Sequence, residues 1–290
     1  MRIALYGKSF DSEYDCLMSR LLEVLKESNV KLLVYEHFSS LVASVSDVDY
    51  EMFDSYSQLV GKADMLFSFG GDGTVLDSLP LVRDSEIPVF GINMGRLGFL
   101  SSVSANEAEE AVRNILKGNY MIDSRFMLQV VGDSFPSSDV NYALNEISVL
   151  RSEIGGLIVV TVYVDDLLVN TYWADGLILA TPTGSTAYSM SAGGPIMAPD
   201  TKSFVITPVS PHNLSVRPVV IPDKSVIRIK VDGRCNAFSL GLDSRKILVD
   251  KSLELEVRKT DFCFNMVKMQ GKDFFTAMRN KLLWGNDVRN

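Results

Sequence analysis

The rhythm of the chain changes near residue 118, and that change constrains the fold more than any other feature. Before it, apolar runs of strand length alternate with helical spacing. After it, short β-like runs follow one another, separated by Asp, Gly, Asn or Pro. Residues 2–6, 31–35, 64–69 and 87–93 read as strands. Tyr14, Leu17, Met18, Leu21, Leu22 and Leu25 recur at helical spacing, with Asp11 or Ser12 as cap and Asn29 near the stop. Residues 52–60 read as a short helix, and 74–82 as another that Pro80 shortens or ends. Residues 106–117 form a further helix, stopped by Gly118. Strands alternating with helices imply a parallel sheet with helices on both faces.

Beyond that helix, eleven runs read as strands: 126–131, 143–150, 157–164, 168–172, 176–180, 203–208, 216–221, 225–231, 237–242, 253–259 and 262–269. Turn signals such as Val164-Asp165-Asp166 and Val231-Asp232-Gly233 separate many of them, the pattern of an all-β sandwich or barrel. Residues 273–283 return to helical character and are expected to pack back on the first domain. The expected architecture is therefore α/β plus all-β. Residues 1–100 with a C-terminal helix at 272–290 make an α/β domain, and 101–271 make a β-rich domain.

Within the first domain, Met65-Leu66-Phe67-Ser68-Phe69 empties into Gly70-Gly71-Asp72-Gly73-Thr74. Glycine lets backbone take positive φ and approach a ligand closely. A carboxylate beside phosphate is unfavourable unless it handles a proton or a metal ion. Ligands of parallel α/β sheets bind beyond the carboxyl ends of the strands. Both glycine-rich turns, after Phe69 and after Asn93, fall at such ends. The turn is neither a Walker A loop, because the Lys-Ser/Thr ending is absent, nor a G-x-G-x-x-G fingerprint. Taken alone it also reads as a tight turn whose Asp makes a local hydrogen bond.

Composition narrows the partners. The net charge is −8 over 290 residues, and no long basic stripe occurs, so nucleic acid and anionic membrane are not expected partners. A polyanionic ligand must then be held by backbone N–H groups, helix N-termini and a metal ion. Cys16, Cys235 and Cys263 lack C-x-x-C spacing and read as buried or half-buried free thiols. With only His37 and His212, a histidine-based triad or metal site has little to draw on. No stretch reaches the roughly 18 apolar residues of a membrane span, and the start is too short an apolar run for a signal peptide. The cytoplasm is the expected location.

Two further segments can carry chemistry. Asn145-Glu146, read as part of a β run, offers an amide and a carboxylate that can grip sugar hydroxyls; alone it also reads as an exposed strand pair. Trp173-Ala174-Asp175-Gly176 leads into the run from Thr181 to Pro195. That run could be a Ser/Gly linker, but Tyr188, Met190 and the flanking Leu177-Ile178-Leu179 argue against it. Thr183 or Ser185 could cap a short helix running to about Ala192.

Together these segments resemble the NAD kinase family. The resemblance rests on Gly70-Gly71-Asp72-Gly73-Thr74, Asn145-Glu146, Asp175-Gly176, the sequence TPTGSTAYSMSAGGP at 181–195, and Pro211-His212-Asn213-Leu214-Ser215-Val216-Arg217-Pro218. It spans residues 3–264. The GGDG turn is shared with diacylglycerol-type lipid kinases and, more distantly, phosphofructokinases, whereas the 181–195 run is specific. The resemblance implies a bacterial-type ATP-NAD kinase with an N-terminal α/β domain, a C-terminal β-sandwich-like domain and the active site between them. It implies Mg²⁺ or another divalent cation, ATP as donor, NAD as acceptor, and a homodimer or homotetramer.

By matching position, Asp72 is the implied catalytic base, and Gly70, Gly71, Gly73 and Thr74 the phosphate-binding turn. Gly73 also borders the acceptor. Asn145 and Glu146 are implied to contact NAD, Asp175 to hold the nicotinamide end, and Thr186, Ala187, Tyr188, Ser189, Met190 and Ser191 to line the adenine and ribose pocket. Gly156 and Arg245 are further candidates. Two positions depart from the family pattern: Asp77 stands where an Arg or Lys is common, and Arg245 where many relatives have Gln. A lipid kinase would need an apolar acceptor pocket, which a Ser/Thr-rich wall serves poorly. A non-catalytic NAD-sensing module would bind NAD and leave it unmodified.

Overall fold

The computed structural model describes residues 1–8, 11–95, 98–132, 140–152, 156–233, 237–250 and 254–283. The chain divides into two compact units. One comprises Met1–Ser124 with Phe264–Asn290, the other Arg125–Cys263.

In the first unit five strands lie in the order Val89–Asn93, Met65–Phe69, Arg2–Gly7, Lys31–Tyr35 and Tyr50–Phe53. Every pairing among them is parallel. Met65–Phe69 and Val89–Asn93 are buried along their whole length, as parallel strands covered on both faces must be. The helix Asp15–Glu27 supplies Leu17, Met18, Leu21, Leu22, Val24 and Leu25 to one core, which Val112 and Ile115 of Ala108–Leu116 join. Each such burial is worth about 1.5–3 kcal/mol, and truncating Leu21 to Ala would cost about 2–5 kcal/mol. Because Ala108–Leu116 packs on Asp15–Glu27, this unit runs past residue 100 to Ser124.

Two local expectations are corrected and one helix is added. Residues 52–60 are not one helix: Tyr50–Phe53 is an edge strand and only Tyr56–Leu59 is helical. An unexpected helix, Glu36–Val45, buries Phe38 and Val42 at i and i+4. The helix expected at 74–82 begins earlier and is broken into Asp72–Asp77 and Leu79–Val82. Pro80 sits in the first turn of the second piece, where its missing N–H removes no intrahelical bond.

The second unit contains two antiparallel arrays. One orders Leu167–Ala174, Ile158–Val164, Ile227–Gly233 and the first part of Glu254–Lys268. The other orders Val219–Pro222, Ser203–Val209, Gly176–Ala180, Glu146–Arg151, Ala237–Leu242 and Arg245–Asp250. Alternate residues of both point into one core, among them Val160, Val162, Leu177, Leu179, Phe238 and Leu240, as a sandwich requires. Arg245–Asp250 has no counterpart among the expected strands. The two runs expected at 253–259 and 262–269 are one strand, Glu254–Lys268, with Leu253 outside the described residues.

The tail forms a helix, Phe274–Leu282, capped by Asp273, whose Oδ1 accepts from Thr276 N at 2.9 Å. The ring of Phe274 lies 6.1 Å from that of Phe99, within the first unit. Cys16 is exposed rather than buried and Cys263 is half-buried; Cys235 lies outside the described residues. Among the described residues no helix is long and apolar enough to cross a membrane.

Candidate active site

The strand Met65–Phe69 ends at Gly70, whose φ is +152°. A Cβ there would lie 2.2 Å from Thr74 Oγ1, so this position tolerates only glycine. Gly71 and Gly73 have no positive φ, and a Cβ on either would meet nothing within 4 Å. Their faces are open to an approaching group. Asp72 opens the helix Asp72–Asp77, and its carboxylate turns towards the segment that follows the second glycine-rich turn. Oδ1 accepts from Leu100 N at 3.0 Å, Ser101 N at 3.2 Å and Ser101 Oγ at 3.3 Å. Oδ2 accepts from Phe99 N at 2.7 Å. A carboxylate has about four acceptor sites, so Oδ1 is crowded while Oδ2 retains capacity. Lys281 Nζ stands 3.6 Å from Oδ2 and 4.4 Å from the centroid of the Phe99 ring. Gly98 leaves the carboxylate its room: a Cβ there would lie 1.7 Å from Asp72 Oδ1.

Asp77 does not leave the turn without a cation. Lys8 Nζ, just past the end of Arg2–Gly7, lies 2.6 Å from Asp77 Oδ2. Beside them the Tyr6 hydroxyl is raised well above its ordinary pKa, chiefly by burial and then by the charge of Asp77.

In the second unit, Asn145-Glu146 is not an exposed strand pair. Leu144 and Asn145 form a turn, Glu146 begins the strand Glu146–Arg151, and both members of the pair are buried. Asn145 Oδ1 and Glu146 Oε2 are buried without a hydrogen-bond partner among the described residues. Burial first, and the charge of Asp243 second, push the Glu146 carboxyl up to about 8, against a Tyr188 N–H that donates to it. A buried acid of this kind is neutral near pH 7 and presents a proton as well as an acceptor oxygen.

The 181–195 run packs beside this pair as a folded corner and is no linker. Thr181 N donates to Asn145 O at 2.9 Å, and Thr181 Oγ1 to Leu144 O at 2.6 Å. Gly184 has no room for a side chain, since a Cβ would lie 2.1 Å from Asn145 O. The expected single helix is two short turns, Gly184–Thr186 and Tyr188–Ser191, with no side-chain cap from Thr183. Ser185 is buried and binds Pro182 O at 2.7 Å.

Of the six residues expected to line the pocket, Ser189 is buried against Thr207, with 2.9 Å between hydroxyls. Thr186, Ala187 and Met190 are half-buried, and Tyr188 and Ser191 are exposed. Asp175 Oδ1 pairs with Arg151 Nε at 3.2 Å. Gly156 has open space where a Cβ would stand. Arg245 Nη1 donates to Val140 O at 2.6 Å and Nη2 to Tyr142 O, bracing the segment that leads into Asn145.

Lys8, Lys281, the amides of 99–101, Arg151 and Asp243 belong to these clusters, yet no local motif announced their roles. For Asp243 the available signal was an Asp at a turn between two apolar runs.

A parallel α/β unit with a carboxylate at a glycine turn, followed by an antiparallel unit with a buried amide–acid pair, defines a nucleotide-dependent phosphotransferase. The comparisons with known proteins are specific. The family model for the ATP-NAD kinase N-terminal domain matches residues 4–120, and that for the C-terminal domain matches 144–269. The NAD kinase of Flavobacterium johnsoniae is 40% identical and that of Bacteroides fragilis 36%, each with all of both chains covered. A yeast NADH kinase solved with NADH superposes with a TM-score of 0.90 at 25% identity, covering 100% of this chain and 89% of that one. An Archaeoglobus fulgidus NAD kinase solved with ATP gives 0.75 at 26%, covering 98% and 99%. The chain belongs to the ATP-NAD kinase family, and its activity is that of a NAD kinase.

Proposed function

We propose that this chain transfers the terminal phosphoryl group of ATP to the 2′-hydroxyl of the adenosine ribose of NAD, with Asp72 as general base. The observation that carries the reading is the state of Asp72. Three backbone N–H groups and the Ser101 hydroxyl fix its carboxylate at a strand end. Oδ2 keeps acceptor capacity and, among the described residues, faces Phe99 N and a cation.

A ribose hydroxyl is a poor nucleophile at neutral pH. As its oxygen bonds to the γ-phosphorus, its proton passes to Asp72 Oδ2, and the bond from the γ-phosphorus to the β,γ-bridging oxygen breaks with its electron pair leaving on ADP. A positioned base contributes about 10²–10⁴-fold. Phosphoryl transfer otherwise depends on positioning and charge stabilisation. Gly70 fixes the turn, and the open faces of Gly71 and Gly73 with Thr74 take the donor's phosphates. Lys8 and Lys281 supply positive charge where Asp77 does not. Asn145 and Glu146 take the hydroxyls and adenine edge of NAD, Thr186–Ser191 the adenine and ribose, and Asp175 the nicotinamide end.

Mg²⁺ binds through one or two carboxylates together with substrate phosphates and keeps several waters. Among the described residues no group of three or more His, Cys, Asp or Glu side chains is placed to hold a metal ion. That donor set suits an ion carried on the nucleotide's phosphates, with Asp77 as the protein ligand, where it would neutralise phosphate charge. Family membership supports a cytoplasmic homo-oligomer as the working form. Incubating the purified protein with NAD, ATP and Mg²⁺ and assaying NADP tests the reading. NADP formation is the expected result, and NAD left unmodified would contradict it. Replacing ATP by polyphosphate, or NAD by NADH, in the same assay fixes donor and acceptor preference.

A further inference from the structure

The turn that carries Asn145 and Glu146 is gripped from outside the substrate-binding segments. Asp243, at the hairpin turn between Ala237–Leu242 and Arg245–Asp250, takes φ +53°, a conformation that Asp tolerates better than most residues. This aims its carboxylate at three consecutive amides. Oδ2 accepts from Leu144 N at 2.9 Å, and Oδ1 from Asn145 N at 2.7 Å and Glu146 N at 3.2 Å. In return Asp243 N donates to Glu146 O at 3.0 Å. Thr181 holds the carbonyls of Leu144 and Asn145 on the other side. The backbone groups at 144–146 are thereby occupied, and the side chains of Asn145 and Glu146 are left with unpartnered buried oxygens. A polar atom buried without a partner is costly, so a ligand that supplies one is favoured.

We propose that Asp243 is a positioning residue for the acceptor nucleotide: its carboxylate fixes the 144–146 turn so that Asn145 and Glu146 meet NAD in one geometry. The inference rests on the reading that this pair binds NAD. The Asp243 carboxylate is spent on the backbone amides of 144–146. Its charge also adds to burial in raising the Glu146 carboxyl. Asp243 collects three N–H donors and has Arg245 nearby, whereas Glu146 has the single Tyr188 N–H. Burial raises the Asp243 carboxyl, while its three N–H donors and Arg245 work against that rise.

Asp243→Asn tests this, because the amide retains one acceptor oxygen and turns a donor towards at least one of the three amides. The expected result is a KM for NAD raised about tenfold, with the KM for ATP within twofold of wild type even where the thermal midpoint falls. A merely structural Asp would move both KM values with the thermal midpoint, or neither. An unchanged KM for NAD in a folded variant would overturn the inference. If Asp243→Asn does not fold, amide hydrogen exchange of the wild-type protein decides. The N–H groups of Leu144 and Asn145 must exchange far more slowly than a free turn, and exchange at free-turn rates would overturn the inference. A wild-type protein that makes no NADP contradicts the functional reading, while its amide exchange still judges the grip of Asp243.

Discussion

Lys8 Nζ and Asp77 Oδ2 stand 2.6 Å apart at the carboxyl end of the first strand, five residues of chain beyond Asp72. The acid at position 77 is therefore met by a lysine from a different element, beside the turn proposed to bind the donor's phosphates. The lysine is largely exposed, with 64% of its side chain accessible, so the pair contributes little to stability. Lys8→Met is expected to leave the thermal midpoint nearly unchanged and to raise the KM for ATP about tenfold, the effect of losing one charge-assisted contact. Steady-state kinetics with NAD saturating and ATP varied would show it. An unchanged KM for ATP would remove Lys8 from donor binding.

Gly98→Ala addresses the room around the base. The added methyl would sit 1.7 Å from Asp72 Oδ1, and the carboxylate must leave its N–H donors to make space. The expected outcome is a folded protein whose kcat falls by at least about a hundredfold, comparable with loss of a general base, while the KM for NAD changes little. Retained turnover would show that Asp72 need not be held there.

Lys281 Nζ lies 3.6 Å from Asp72 Oδ2 and rests on the Phe99 ring. Lys281→Met removes the charge and keeps the stem. The KM for ATP is expected to rise about tenfold, and Lys281→Arg to restore most of it. Kinetics of the pair of variants distinguish a charge requirement from helix packing, because Met preserves the packing.

Glu146 makes stability depend on pH with a definite sign. Its carboxyl is raised to about 8 in the fold, against about 4.3 in an unfolded chain. The folded state binds the extra proton between these values, so the contribution of this group is complete below about 4.3 and is lost as pH rises through about 8. Thermal midpoints of wild type should fall between pH 6 and 9 more steeply than those of Glu146→Gln. Parallel curves would show that Glu146 is already ionised in the fold.

Much of this was legible in the sequence, for reasons that particular residues make plain. The strands at 65–69 and 89–93 are buried on both faces, so uninterrupted apolar runs betray them. The helix Asp15–Glu27 shows its inward face as Leu17, Leu21 and Leu25. Tyr50–Phe53 is an edge strand that buries only Phe53, leaving no period in the sequence to mark it. Arg245–Asp250 is likewise a sheet edge, with Leu248 exposed. In the site, Asp72 and the Asn145-Glu146 pair stood out through local motif. Lys281, Lys8 and Asp243 act on residues about 70 to 210 positions away, and such contacts exist only once the sheets are built.

Asp72→Asn is the most direct measurement of the central claim. Asn keeps the size and one acceptor oxygen but cannot take the hydroxyl proton. The expected result is a folded protein that binds NAD as wild type does and forms NADP at least about a hundredfold more slowly. NADP formation at a near-normal rate by that variant would contradict the assignment of Asp72 as the base.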